Sequence, residues 1–369
     1  MFKEFSDPIH QLIKSDPCET RIINSFPLQR LRFIKQLGIT YLVFPSAQHS
    51  RFEHSLGTME LAGRIFKSLG LRDERLYSLF RLAGLLHDVG HAPFSHTTEV
   101  LLGDKSHEEI GERVVFEEGV ADILKDCGYT EEEIHLLARI AFKGDKSFPK
   151  IITGEFGADR MDYLRRDAYF CGTSYGFFDY SRLLESILLI DGRKCVHMSA
   201  LRSLESFILG RYFMYSQVYF HKVVRILNIH LKEVIEDFFK EGLLDPRGFH
   251  RKTDHHIIHL MLDRYREEKV RRVLGREHYR EVFFTSSRDV FEFVKERLLE
   301  RYEEDLLRFD YISKRVLDED IPLWDGNKMV SLMEVSRLVS SLKDIEFYRI
   351  YAHPKYKDEV KGHVRKIYG

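Results

Sequence analysis

Apolar residues recur at helical spacing from Glu53 onward, at Leu56, Met59, Ala62, Ile65, Phe66 and Leu69, and Gly70 closes that element. The run Leu79–Leu86 is apolar almost throughout, which predicts a buried helix over 75–88. Amphipathic stretches predict further helices over 27–36, 108–116, 131–142 and 159–169, then a long one over 201–240. Residues 3–13 read as an extended start, and Tyr41–Phe44 as a brief apolar run that Pro45 ends. Near the C-terminus, 329–369 reads helix, strand over 346–351, helix. The fold class is therefore mainly α with a small C-terminal α+β appendage. The glycine-bounded stretch 242–248 is the expected boundary, giving a core over 1–243 and a charged helical region over 244–369 that ends in the α+β subdomain.

The central helix ends in an unusual way. His87, Asp88, His91 and His96 follow the apolar run within ten residues, and Gly90 and Pro93 break the helix between them. Imidazole and carboxylate groups at the end of a buried helix carry a desolvation cost that a divalent metal would offset. The competing reading is a capped helix end with solvated histidines. Other groups weigh against it. His54 in Arg51-Phe52-Glu53-His54-Ser55-Leu56-Gly57 and Asp159 in Gly157-Ala158-Asp159-Arg160-Met161-Asp162-Tyr163 also stand at predicted helix ends. His54, His87, Asp88 and Asp159 would form a mixed nitrogen/oxygen site for one divalent metal, and manganese, iron, zinc, nickel and magnesium all suit it. Such an ion lowers the pKa of water and polarises a phosphoryl oxygen, the two needs of phosphoester hydrolysis. His91, His96, Glu99 and His107 suit proton transfer and phosphate hydrogen bonding. Arg51, Arg160 and Arg211 add planar forks that match phosphate oxygens.

Composition narrows the partners. Among 369 residues, 44% are hydrophobic and 31% charged, yet the net charge is only −1, so no global bias toward nucleic acid or membrane exists. The basic run 264–280 alternates with acids and reads as a solvated helix face rather than a nucleic-acid surface. Cys18, Cys127, Cys171 and Cys195 have no paired spacing, which predicts reduced thiols. With no signal-peptide pattern at the start and no apolar run long enough for a membrane span, a cytoplasmic location is expected.

These blocks, in order from Asp7-Pro8-Ile9-His10 through His87-Asp88-Val89-Gly90-His91-Ala92-Pro93-Phe94-Ser95-His96 to His221-Lys222, resemble the HD-domain phosphohydrolases. Within them the chain resembles the deoxynucleoside triphosphate triphosphohydrolases, both bacterial dGTPase-like enzymes and the catalytic domain of the vertebrate SAM-and-HD-domain enzyme. The resemblance implies an HD helical fold and hydrolysis of a dNTP to deoxynucleoside and inorganic triphosphate. It implies metal ligation by His54, His87, Asp88 and Asp159. His91, His96 and His107 would face the phosphates, with His96 or His107 moving the proton. Glu99 takes the place of an aspartate that orients the catalytic histidines. Arg51, Arg160 and Arg211 match phosphate-binding positions.

The resemblance also implies a sugar pocket in which Gln36 and Asp167 bond the 3′-hydroxyl. Leu37 and Tyr163 would fill the space a 2′-hydroxyl needs, a mismatch worth about 1–3 kcal/mol. Tyr219 would stack near sugar or base, and Tyr215 stands where relatives have histidine. Lys3, Gln29, Arg32, Asp179 and Arg182 match a regulatory nucleotide site between subunits of a homo-oligomer, with Asn24 in place of the guanine-reading aspartate. The rival readings are another HD chemistry (nucleotide monophosphatase, cyclic-nucleotide phosphodiesterase or guanosine tetraphosphate hydrolase) and a non-catalytic nucleotide-binding protein.

Overall fold

A computed structural model of the chain describes residues 3–101 and 106–368, apart from the side chain of His96. The fold is mainly α, and the chain forms two compact units that interleave along the sequence. The first unit contains residues 1–214, 246–255 and 317–341, and the second 215–245, 256–316 and 342–369. This corrects the single boundary expected near residue 243. Apolar periodicity marks where elements lie but does not report which of them pack together, so the return of 246–255 and 317–341 to the first unit left no local signal.

In the first unit, the expected extended start is an antiparallel hairpin of Lys3–Asp7 and Gln11–Ser15. The helix Arg51–Ser68 begins at a capping box, in which Ser50 and Glu53 satisfy each other's backbone donors. It packs along the helix Glu74–Leu86, and both bury nearly all round: Leu56, Met59, Leu61, Ala62 and Ile65 meet Leu79, Leu82, Ala83, Leu85 and Leu86 in the core. Their apolar contact is the rigid floor on which the helix ends are held. The helices His107–Glu117, Ala158–Cys171 and Leu201–Met214 complete the frame. Two features depart from expectation. The strands Ile187–Ile190 and Arg193–His197 form a hairpin around Asp191-Gly192, both at positive φ, and join Pro322–Trp324 and Met329–Ser331 in a four-stranded sheet. Cys18 and Cys127 form a disulfide across 109 residues of sequence with their Cα atoms 5.8 Å apart, which overturns the expectation of unpaired thiols.

In the second unit, the long helix expected over 201–240 gives way to a π-helical turn, Tyr215–Tyr219, before the helix Lys222–Lys240. The strand expected over 346–351 is Ile345–Ala352, but it is the middle of a three-stranded antiparallel sheet whose outer strands, Arg280–Thr285 and Leu307–Lys314, lie in the stretch expected to be helical. Phe291, Val294 and Leu298 of one helix and Val360 and Val364 of another cover its apolar face. Among the described residues, no helix is long and apolar enough to cross a membrane.

Candidate active site

Three helix ends of the first unit converge. His54 lies in the first turn of Arg51–Ser68, His87 is the C-cap of Glu74–Leu86 with Asp88 next, and Asp159 lies in the first turn of Ala158–Cys171. A helix N-terminus favours a carboxylate such as Asp159. Gly157 makes the approach possible, since a Cβ there would stand 2.2 Å from the Ile152 carbonyl oxygen. His54 Nε2 lies 3.2 Å from His87 Nε2, 3.2 Å from Asp159 Oδ1 and 3.8 Å from Asp88 Oδ2. His87 Nε2 is 3.4 Å from Asp88 Oδ1 and 3.8 Å from Asp159 Oδ1. Such edges suit donors about 2.0–2.2 Å from a shared centre.

The donor chemistry agrees with a cation there. His54 Nδ1 meets Asp162 at 2.8 Å and His87 Nδ1 meets the Gly84 carbonyl at 2.7 Å. Acceptors on both Nδ1 atoms assign the hydrogens to Nδ1, which leaves two Nε2 lone pairs aimed at one another. Only a proton or a metal ion between them makes that arrangement favourable. Burial lowers the His54 pKa, but Asp159 and Asp162 outweigh it and raise it to about 10. Burial pushes Asp88 up, whereas Arg51, His87 and His91 hold it well below the usual carboxylate range. His54, His87 and Asp159 each bring one donor atom within 4.8 Å of the others and so fit a divalent metal, with Asp88 beside them.

Arg51 is not a free phosphate ligand. It is buried, with NH1 2.5 Å from Asp88 Oδ2 and Nε donating to Ser95 Oγ at 2.7 Å. Phe94 and Ser95 take positive φ, and Asp254 accepts the Phe94 N–H at 2.8 Å, so the loop after His87 and Asp88 is pinned from both sides. His91 stacks on His107 at 4.1 Å and meets Asp88 through Nε2 at 3.3 Å. Burial and the Arg51 charge push the His91 pKa well down, which keeps this ring neutral. Glu99 Oε1 accepts from both the backbone N–H and Nδ1 of His107, at 2.9 and 2.8 Å. Burial lowers the His107 pKa, but Glu99, Asp88 and Glu108 outweigh it, so it is raised. The His96 side chain lies outside the described part of the structure.

Arg160 and Arg211 share two carboxylates. Glu155 Oε2 lies 2.7 Å from Arg160 and 2.5 Å from Arg211, and Asp318 Oδ2 lies 2.8 and 3.3 Å from them. Neither Glu155 nor Asp318 carried a signal in the sequence. Asp167 is buried, 2.7 Å from His49 Nε2, and His49 stacks on Phe170 at 4.6 Å. Gln36 Oε1 is buried with no hydrogen-bond partner among the described residues, and the half-buried Leu37 follows it. The Tyr163 ring lies 6.4 Å from His54. Tyr215 and Tyr219 belong to the second unit, where their rings meet edge-on at 5.0 Å. Lys3 bonds Asn24 at 3.0 Å, Gln29 accepts from Arg32 at 2.9 Å, and Asp179 caps the turn that carries Arg182.

The HD domain family matches residues 51–166, and the HD associated region matches 178–310. A protein of Aquifex aeolicus of known structure is 45% identical over 99% of this chain and 100% of that one, with a TM-score of 0.91. An uncharacterised protein of Methanocaldococcus jannaschii is 34% identical over 99% of this chain and 83% of its own length. The deoxynucleoside triphosphate triphosphohydrolase SAMHD1 of Gallus gallus is 32% identical across 64% of this chain, which spans only 45% of that protein. The first match begins at Arg51 and ends at Arg166, so it spans all four converging side chains, and on these grounds the chain belongs to the HD-domain family of phosphohydrolases.

Proposed function

We propose that this protein hydrolyses deoxynucleoside triphosphates to deoxynucleoside and inorganic triphosphate. The observation that carries the reading is the meeting of His54, His87 and Asp159, with Asp88 alongside, beside an imidazole pair, His91 and His107, suited to proton transfer. The similarity to SAMHD1 supplies the substrate class. When bound by those four residues, a divalent cation supplies Lewis-acid activation of water and of a phosphoryl oxygen.

The chain's own groups do the rest. Glu99 fixes the His107 ring through Nδ1 and favours its protonated form, and Nε2, 3.4 Å from Glu108, would pass its proton to the departing 5′-oxygen. Arg51 holds Asp88 ionised and in place. The Arg160–Arg211 pair receives phosphate oxygens, and Gln36 Oε1 accepts from the 3′-hydroxyl. Leu37 and Tyr163 leave a 2′-hydroxyl without a partner, which selects deoxyribose. A nucleotide bound between subunits at Lys3, Arg32 and Arg182 of a homo-oligomer would regulate this centre, and the setting we infer is cytoplasmic.

Incubation with each dNTP and NTP plus manganese, followed by separation of products, tests the reading. Tripolyphosphate and deoxynucleoside are expected from dNTPs alone. Orthophosphate release, or equal turnover of NTPs, would refute it.

A further inference from the structure

The motif Asp7-Pro8-Ile9-His10 plays no part in the chemistry above, yet it reaches the metal centre through one buried carboxylate. Asp162 lies one helical turn from Asp159, with a side chain fully removed from solvent. Its Oδ2 accepts from His54 Nδ1 and from Arg166 Nε, both at 2.8 Å. Its Oδ1 accepts from Arg166 NH2 at 2.9 Å and lies 2.6 Å from His10 Nε2. Arg166, equally buried, turns its outer edge to Asp7 at 2.7 and 3.3 Å. Asp7 Oδ1 in turn accepts the backbone N–H groups of Ile9 and His10, which fixes the turn of the N-terminal hairpin.

Three contacts therefore hold Asp162 in one orientation, and the fourth faces His54. A carboxylate fixed in this way keeps the His54 hydrogen on Nδ1, raises the basicity of Nε2 and stops rotation of the ring. The alternative tautomer would place a hydrogen where a metal must sit. Gly57 shows how tightly this is built, since a Cβ there would stand 1.9 Å from Asp162 Oδ1.

We propose that Asp162, supported by Arg166, Asp7 and His10, is the positioning residue that holds the His54 imidazole ready for a divalent cation, so that the N-terminal hairpin sets metal affinity at a centre it does not touch. The proposal rests on His54 being a metal ligand, as read above.

The test is calorimetric titration of the full chain with Mn²⁺ in the absence of nucleotide, together with the visible absorption of the Co²⁺-loaded protein. Asp162→Asn is expected to weaken Mn²⁺ binding by about 10–100-fold, and His10→Gln by several-fold less, each with shifted Co²⁺ bands. A purely structural role would lower thermal stability without moving those bands. If Asp162→Asn does not fold, His10→Gln decides alone. Folded variants with wild-type Mn²⁺ affinity and an unchanged Co²⁺ spectrum would overturn the proposal. Wild-type protein that binds no divalent cation would overturn the metal centre and the proposal with it. Normal metal binding without dNTP turnover would refute only the substrate reading.

Discussion

His54 and His87 present their Nε2 atoms to each other at 3.2 Å, while Asp162 and the Gly84 carbonyl take the Nδ1 hydrogens. An ion binds this arrangement only in the folded state, so metal and stability are linked. At a Mn²⁺ concentration 100 times the dissociation constant, the expected stabilisation is about 2.7 kcal/mol. Thermal unfolding with and without Mn²⁺ reads it directly. His87→Ala should abolish the shift, and a shift that survives in that variant would place the ion elsewhere.

Gly57 faces Asp162 and Arg166 so closely that a methyl group has nowhere to go: its carbon would stand 1.9 Å from one and 2.5 Å from the other. Both partners are buried and paired, so neither can retreat without leaving a charge unmatched. Gly57→Ala should cost about 3–5 kcal/mol in chemical denaturation, the range for breaking a buried pair. Gly70→Ala is the comparison. Its glycine has φ +73° with nothing within 4 Å of the added carbon, so the cost is backbone strain alone, about 1 kcal/mol. Equal losses at the two positions would contradict the packing argument.

The parts legible in the sequence are those encoded locally. The apolar period located the paired helices, and the breaks after them located His87 and Asp88 at a helix end. The helix expected over 159–169 is present, but the structure sends its polar side chains in different directions: Asp159 meets His54, while Arg166 turns inward to Asp7 and Asp162. Asp191-Gly192 is a hairpin signal in plain view that apolar periodicity alone passes over. Other features have no local code. Glu155 and Asp318 stand 163 residues apart, and Cys18 and Cys127 109 apart. Their meeting depends on how the elements pack, which composition and spacing do not express. The long helix expected over 201–240 fails for a related reason, since a π-helical turn barely disturbs the apolar pattern.

Asp254 gives a pH signature. Burial pushes its carboxyl up to about 6, against the pull of backbone hydrogen bonds from Lys35 and Phe94. A folded pKa above the unfolded value means that the folded chain takes up a proton between the two. The group's contribution is thus fully present below about pH 4 and is lost as pH rises through about 6, a decline of roughly 3 kcal/mol. The difference in unfolding free energy between wild type and Asp254→Asn isolates it from other carboxylates. That difference should fall steadily between pH 4 and 6 and level off above; a flat difference would rule out the raised value.

Arg160 and Arg211 meet two carboxylates that differ in one respect. Glu155 is buried and also accepts the backbone N–H groups of Asp318 and Glu319, at 2.6 and 3.1 Å, so it is a fixed counter-ion. The Asp318 side chain is 38% exposed. An incoming polyphosphate that uses both arginine forks must take the position of Asp318, and the energy of two charge-assisted contacts is subtracted from its binding. Asp318→Asn removes the competing charge while keeping the shape. Inorganic tripolyphosphate should then bind about tenfold more tightly, a gain of about 1.4 kcal/mol, as measured by calorimetry. Glu155→Gln should act in the opposite direction, because the arginines lose the anchor that aligns them. Tighter binding in both variants would mean that Glu155 is also a competitor, and weaker binding in Asp318→Asn would mean that Asp318 organises the site instead of occupying it.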